Sequence, residues 1–85
     1  MPRFYLHIYN GSGVAEDLEG QELADTAAAR RAAIEGLRDI LASELRGGKL
    51  DTASFVEIED EARHPVATVS FDEAVRITDE TPRRT

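Results

Sequence analysis

One segment constrains the fold of this chain more than any other. In residues 26–46, Ala27, Ala28, Ala29, Ala32 and Ala33 lead into a series of leucines and isoleucines. Alanine has the highest helix propensity of any residue. At 100° per residue, Ala29, Ala33, Ile34, Leu37, Ile40, Leu41 and Leu45 form one broad apolar face, with Arg31, Glu35, Arg38, Asp39 and Arg46 opposite. Asp25 is a natural N-cap, with Thr26 as the alternative, and Gly47-Gly48 supplies the stop. Gly36 costs about 1 kcal/mol relative to alanine mid-helix. It borders the apolar face beside Ala29, Ala33 and Ile40 and reads as part of a small-residue strip that brings the helix close to a sheet.

A single amphipathic helix needs an apolar partner, and short alternating segments supply it. Phe4, Leu6 and Ile8 point to one side of a first strand, Phe4–Tyr9, while Tyr5, His7 and Tyr9 point to the other. Asn10-Gly11-Ser12-Gly13 is a hairpin turn signal, because Asn and Gly tolerate positive φ. Val14–Leu18 can return as a short, acidic edge strand, broken at Glu19-Gly20. After the helix and a polar loop at 49–53, Ser54–Glu59 alternates, with Val56 and Ile58 opposed to Phe55, Glu57 and Glu59. Residues 60–64 turn the chain, and Pro65 can open a strand but not occupy its centre. Val66–Phe71 directs Ala67, Val69 and Phe71 to one side. Asp72–Ile77 suits one helical turn capped by Asp72, and Thr78–Thr85 reads as a disordered tail. The expected fold is α+β: a mainly antiparallel sheet of three to four strands with one long helix on one face, in the order strand, short strand, helix, strand, strand. Residues 1–77 make one domain. The pairing of the first strand with the third, the fourth or both stays open.

Size and charge narrow the function. At 85 residues there is room for one core only. No apolar run approaches the roughly 20 residues of a membrane helix, and the Met1-Pro2-Arg3-Phe4 start lacks a signal-peptide stretch, so a cytoplasmic protein is expected. The absence of cysteine excludes disulfides, thiolate zinc sites and cysteine nucleophiles. The net charge is −7, and residues 10–25 carry five acids and no base. Basic residues cluster only at Arg30-Arg31 and Arg83-Arg84, which argues against a general nucleic-acid binder.

The candidate chemistry is sparse. His7, between Tyr5 and Tyr9 on one strand face, could be an acid–base group or a ligand. The structural alternative is a histidine hydrogen-bonded to a neighbouring strand or to Glu57. Catalysis would also need oriented partners in a cleft. Glu16/Asp17 and Glu59/Asp60 are acid pairs, but the calcium-loop pattern that begins at Asn10 fails at Val14. Asn10–Gly13 lacks the Gly-Lys-Ser/Thr ending of a phosphate loop. Arg30 sits near the centre of the apolar helix face, where it must either snorkel to the sheet's edge or pair with an acid between Glu16 and Glu22. No catalytic residue, cofactor or metal is expected.

The opening Met1-Pro2-Arg3-Phe4-Tyr5-Leu6-His7 resembles the start of a family of short bacterial proteins classed as a domain of unknown function. Further matches follow in order: the turn Asn10–Gly13, the step Asp17-Leu18-Glu19-Gly20, the helix entry Glu22-Leu23-Ala24-Asp25, and the closing Val69-Ser70-Phe71. Ala62-Arg63-His64-Pro65 departs from the Gly-containing turn of that family. The resemblance covers nearly all of residues 1–77 and implies a fold but no activity. A looser likeness, of layout only, is to the HicB-like antitoxins, which act chiefly as protein inhibitors.

One helix covers one side of a sheet, so Tyr5, His7, Tyr9, Phe55, Glu57, Val66 and Thr68 would form an open face unless residues 72–77 fold over it. Aromatic residues favour interface centres. The expected function is therefore a non-catalytic protein-interaction module that forms a homodimer through Tyr5, His7, Tyr9 and Phe55, with no nucleic-acid or membrane partner. Two alternatives stand beside it: an antitoxin-like regulator that masks a basic protein, and a small-ligand site around His7.

Overall fold

A computed structural model describes residues 1–79. The chain folds as β1 (Arg3–Asn10), β2 (Gly13–Ala15), β3 (Gln21–Glu22), α1 (Thr26–Arg46), β4 (Phe55–Glu59), β5 (Pro65–Ser70) and α2 (Phe71–Ala74). The sheet is antiparallel with strand order β2-β1-β4-β5, and β3 adds a short pairing to β1. β1 therefore pairs with the third long segment of the sequence, β4, which separates it from β5. The helix lies across one face of the sheet, so the protein is α+β.

The helix runs as its composition predicts. Asp25 is extended at the N-cap and its carboxylate accepts the Ala28 N–H at 2.8 Å, satisfying a first-turn donor. At the other end the Gly47 N–H bonds the Glu44 carbonyl, and Gly48 takes a φ of +85°. Ala29, Ala33, Leu37 and Leu41 are buried against Phe4, Leu6, Val56, Ile58, Val69, Phe71 and Ala74. Leu45, expected on this face, is exposed, because the last helical turn carries no residue into the core. The expected close approach at Gly36 is also corrected: a Cβ there would meet Ile8 Cδ1 at 3.7 Å, an ordinary contact.

The second strand is shorter than Val14–Leu18. It stops at Ala15 because the Asp17 side chain turns inward, accepting the Leu6 N–H at 3.1 Å and the Gly20 N–H at 2.9 Å. Gly20, at φ +73°, then lets the chain re-pair as β3. An added Cβ at Gly20 would lie 2.8 Å from the Phe4 carbonyl oxygen. The final helical turn starts one residue before Asp72. Ser70 is its N-cap, without a side-chain cap bond, and the turn places Phe71 and Ala74 in the core. Arg30 pairs with Glu73 of this turn rather than with an acid between positions 16 and 22. Arg38, on the polar side of the helix, donates from Nε to the Ala74 carbonyl at 2.7 Å. Both arginines therefore tie α2 to α1. Of the expected tail, Thr78 and Asp79 have no regular structure and positions 80–85 lie outside the described residues.

Candidate functional site

The face of the sheet away from α1 is built by strand alternation. Leu6, Val56 and Ile58 point into the core, so Tyr5, His7, Tyr9, Phe55, Glu57 and Glu59 share the other side. α2 does not cover it: Phe71, Ala74 and Val75 pack with the core on the helix side. Register sets the rows. Tyr9 lies opposite both Val14 and Phe55, and Phe55 opposite Ser70; His7 lies opposite Glu57, and Glu57 opposite Thr68; Tyr5 lies opposite Glu59.

These rows divide the face into two ends. At the hairpin end, Tyr9 and Phe55 stack with centroids 4.5 Å apart and planes 7° from parallel. Val14 continues the row, with 52% of its surface exposed. Partial burial, reinforced by the Glu57 carboxylate through charge and hydrogen bonding, raises the Tyr9 phenol above its ordinary value; Glu59 and Glu16 add smaller effects.

The other end is a polar network. His7 is only 7% exposed although it is on the face without a helix, because the Glu16–Gly20 strap closes over its edge. The Asp17 N–H donates to His7 Nδ1 at 3.1 Å, which assigns the ring proton to Nε2, and Nε2–H donates to Glu59 Oε1 at 2.9 Å. Glu59, one row beyond the register partner Glu57, thus takes the bond for which the sequence suggests Glu57. The hydrogen bond from His7 holds the Glu59 carboxyl below its ordinary range; burial opposes this, and Arg63 assists it by hydrogen bonding and charge. Arg63 lies 3.4 Å from Glu59 and stacks its guanidinium 3.8 Å above the Tyr5 ring centroid.

Arg63 reaches both partners from the β4–β5 turn, where it holds a φ of +67°. Asp60 organises that turn: its carboxylate accepts the N–H groups of Ala62 and His64, each at 2.9 Å, and its backbone N–H bonds the His64 carbonyl at 2.9 Å. Arg63 therefore adopts a backbone conformation that suits glycine. His64 is exposed in the same turn.

Of the four contact residues read from the sequence, Tyr9 and Phe55 meet each other, Tyr5 lies beneath Arg63, and His7 has both ring nitrogens engaged. Sequence reasoning missed Val14, Asp17 and Arg63 as parts of this face; it placed Glu59 on the Phe55 side of its strand but not as the partner of His7. Only Asp17 left a signal, the Asp-x-x-Gly spacing that becomes a carboxylate bonded to the Gly20 N–H. Among the described residues, no group of three or more His, Asp or Glu side chains is placed to hold a metal ion. None of their helices is long and apolar enough to cross a membrane. A surface depression of about 650 Å³ lies away from the sheet face, between the end of α1 and the Asn10–Gly13 turn, with Glu44, Lys49 and Asp51 in its lining.

Neither a curated protein nor a solved structure matches the chain significantly. A family model does match, over residues 3–72, which spans every strand and the long helix. The chain belongs to the family described as domain of unknown function DUF6894.

Proposed function

We propose that this chain is a non-catalytic protein-interaction module of the cytoplasm, which associates with a second copy of itself through the open sheet face. One observation carries the reading: Val14, Tyr9 and Phe55 form an apolar row across three strands, and no described element packs on it. Aromatic side chains bring large contact area at low conformational cost, and two-fold pairing of one face is the commonest way to bury such a row. The polar end suits a supporting role. Both His7 nitrogens and Glu59 are occupied within the monomer, which fixes the strap and the turn at either side of the face. That same occupancy leaves the small-ligand reading of His7 without a free group to build on.

Light scattering across a concentration series tests the proposal. The wild-type chain is expected to gain mass toward a dimer at tens of micromolar. Tyr9→Glu is expected to shift the mass toward monomer while leaving the circular dichroism spectrum unchanged. A Tyr9→Glu protein with the same mass profile as wild type would sink the reading.

A further inference from the structure

We infer that the depression between the end of α1 and the Asn10–Gly13 turn is a binding site for a small aliphatic amine, taken up as its ammonium ion by Glu44 and Asp51. The site lies away from the open sheet face and does not rest on the self-association reading. Glu44 stands seven residues after Leu37 and three after Leu41, both buried, so the helical period turns it to the core side of α1, at the rim beyond the last buried leucine. A carboxylate there breaks the pattern that builds the rest of that side, and breaks of this kind are expected at functional positions. Its Oε2 is removed from solvent and meets no hydrogen-bond donor among the described residues. Nor does the carboxylate enter any of their ion pairs. A carboxylate held in this way is costly unless a cation comes to it.

The surroundings say which cation. Glu44 lines the depression together with Gly11, Gly47, Lys49, Leu50 and Asp51. Its volume, about 650 Å³, falls in the range of small-molecule sites, roughly 300–1,000 Å³. Gly11 is not among the glycines with positive φ, so its backbone does not demand glycine. The room of its side chain is taken by the Asp51 carboxylate instead: a Cβ on Gly11 would lie 3.0 Å from Oδ2. Asp51 Oδ1 accepts the Ala53 N–H at 2.9 Å, which fixes the direction of the second carboxylate. Glu44 and Asp51 against Lys49 leave a net charge of −1 in the lining, and the C-terminal end of α1 adds its negative pole. An anion is therefore disfavoured. The described residues offer no group of three His, Asp or Glu side chains that could hold a metal ion, and the volume far exceeds that of a bare ion. Leu50, 38% exposed, gives the wall an apolar surface for a hydrocarbon chain. An aliphatic ammonium ion answers both parts of the lining, the carboxylates with its head and Leu50 with its chain.

Three probes that share a chain and differ in head group test the site: n-butylammonium, butanol and butyrate. In amide NMR titrations of the full chain, n-butylammonium is expected to give saturable shifts at Gly11, Leu50 and Asp51, in the millimolar range suited to so small a ligand. Butanol and butyrate are expected to give none. Glu44→Gln keeps the shape and removes the charge, and is expected to weaken n-butylammonium by about tenfold or more. Without ligand it is expected to melt higher than wild type, because it relieves an unpaired carboxylate; this readout also shows that the variant is folded. Lys49→Ala is expected to tighten binding by removing the like charge from the lining, and Tyr9→Glu to leave it unchanged. Equal shifts with butanol or butyrate would overturn the inference, as would a Glu44→Gln protein that binds n-butylammonium as wild type does. Weaker binding on Lys49→Ala would mean that the lining recognises an anion, and the inference would fall. Absence of saturable shifts with n-butylammonium would overturn it as well. None of these outcomes touches the mass profile that tests the open face.

Discussion

The two faces of the sheet are made by the same strands but held by different forces. On the helix side, Leu37, Val56, Ile58 and Val69 are wholly removed from solvent, and no charge enters the layer. On the other side, a buried histidine, two carboxylates and an arginine bind the Glu16–Gly20 strap and the β4–β5 turn to the sheet. The first face is specified by volume and apolar area, which tolerate few substitutions but need no particular partner atoms. The second is specified by donor and acceptor geometry, which fails when one partner is lost. Stability should therefore reside mainly on the helix side, and the shape of the exposed surface mainly on the other.

The sharpest way to break this comparison is at Leu37, which is fully buried between helix and sheet. Leu37→Ala should cost about 2–5 kcal/mol, the usual range for a buried leucine. Urea titration measures it. A loss below about 0.5 kcal/mol would put the position in the range of surface substitutions and undo the ranking of the faces.

Asp17 is the corresponding test on the other side. Its carboxylate serves the Leu6 and Gly20 N–H groups, and its own N–H serves His7. Asp17→Ala strips two backbone donors of a charged acceptor and should cost about 2–3 kcal/mol. The loss should be local first: hydrogen exchange should speed up at Leu6 and Gly20 before it does at Val56 or Ile58. Uniform acceleration across all four amides would mean that the strap and the core unfold as one unit.

The contrast also explains what could be read from the sequence. The helix bounds, Asp25 as cap and the inward set Phe4, Leu6, Val56, Ile58 and Val69 follow from periodicity, because burial of one face repeats every two or 3.6 residues. β3 could not be read this way. It is two exposed residues held by a glycine with positive φ and by a strap whose path depends on Asp17. Nor could the Arg30–Glu73 pair, since its partners are 43 positions apart and meet only once β5 is docked. Part of the candidate site was legible for the same reason. Alternation places Tyr5, His7, Tyr9 and Phe55 on one face, but the burial of His7 and the guanidinium over Tyr5 come from loops with no period.

Gly36 sharpens the comparison in the opposite direction. Packing on the helix side is close but leaves room here, since an added Cβ would find Ile8 Cδ1 at 3.7 Å and nothing nearer outside the helix backbone. Gly36→Ala should therefore stabilise the protein by up to about 1 kcal/mol, through helix propensity and a less flexible unfolded chain. Thermal melts detect this as a rise of a few degrees. A fall in melting temperature would restore the small-residue strip that the sequence suggested.

The smallest expected effect is electrostatic and belongs to the polar network. The Glu59 carboxyl is held below its ordinary value of 4.5, chiefly by the hydrogen bond from His7, with Arg63 assisting by hydrogen bonding and charge. A carboxyl lowered in the folded state stabilises the protein above its unfolded value, and that contribution is lost as pH falls through the lower folded value. Glu59→Gln keeps an oxygen for His7 Nε2–H to bond but removes the charge. Wild type should accordingly be the more stable of the two at pH 5 and above, with the two curves converging as pH falls below about 4.5. Urea midpoints across that range measure the convergence. Curves that stay parallel down to pH 3 would mean that the charge of Glu59 adds nothing to the fold.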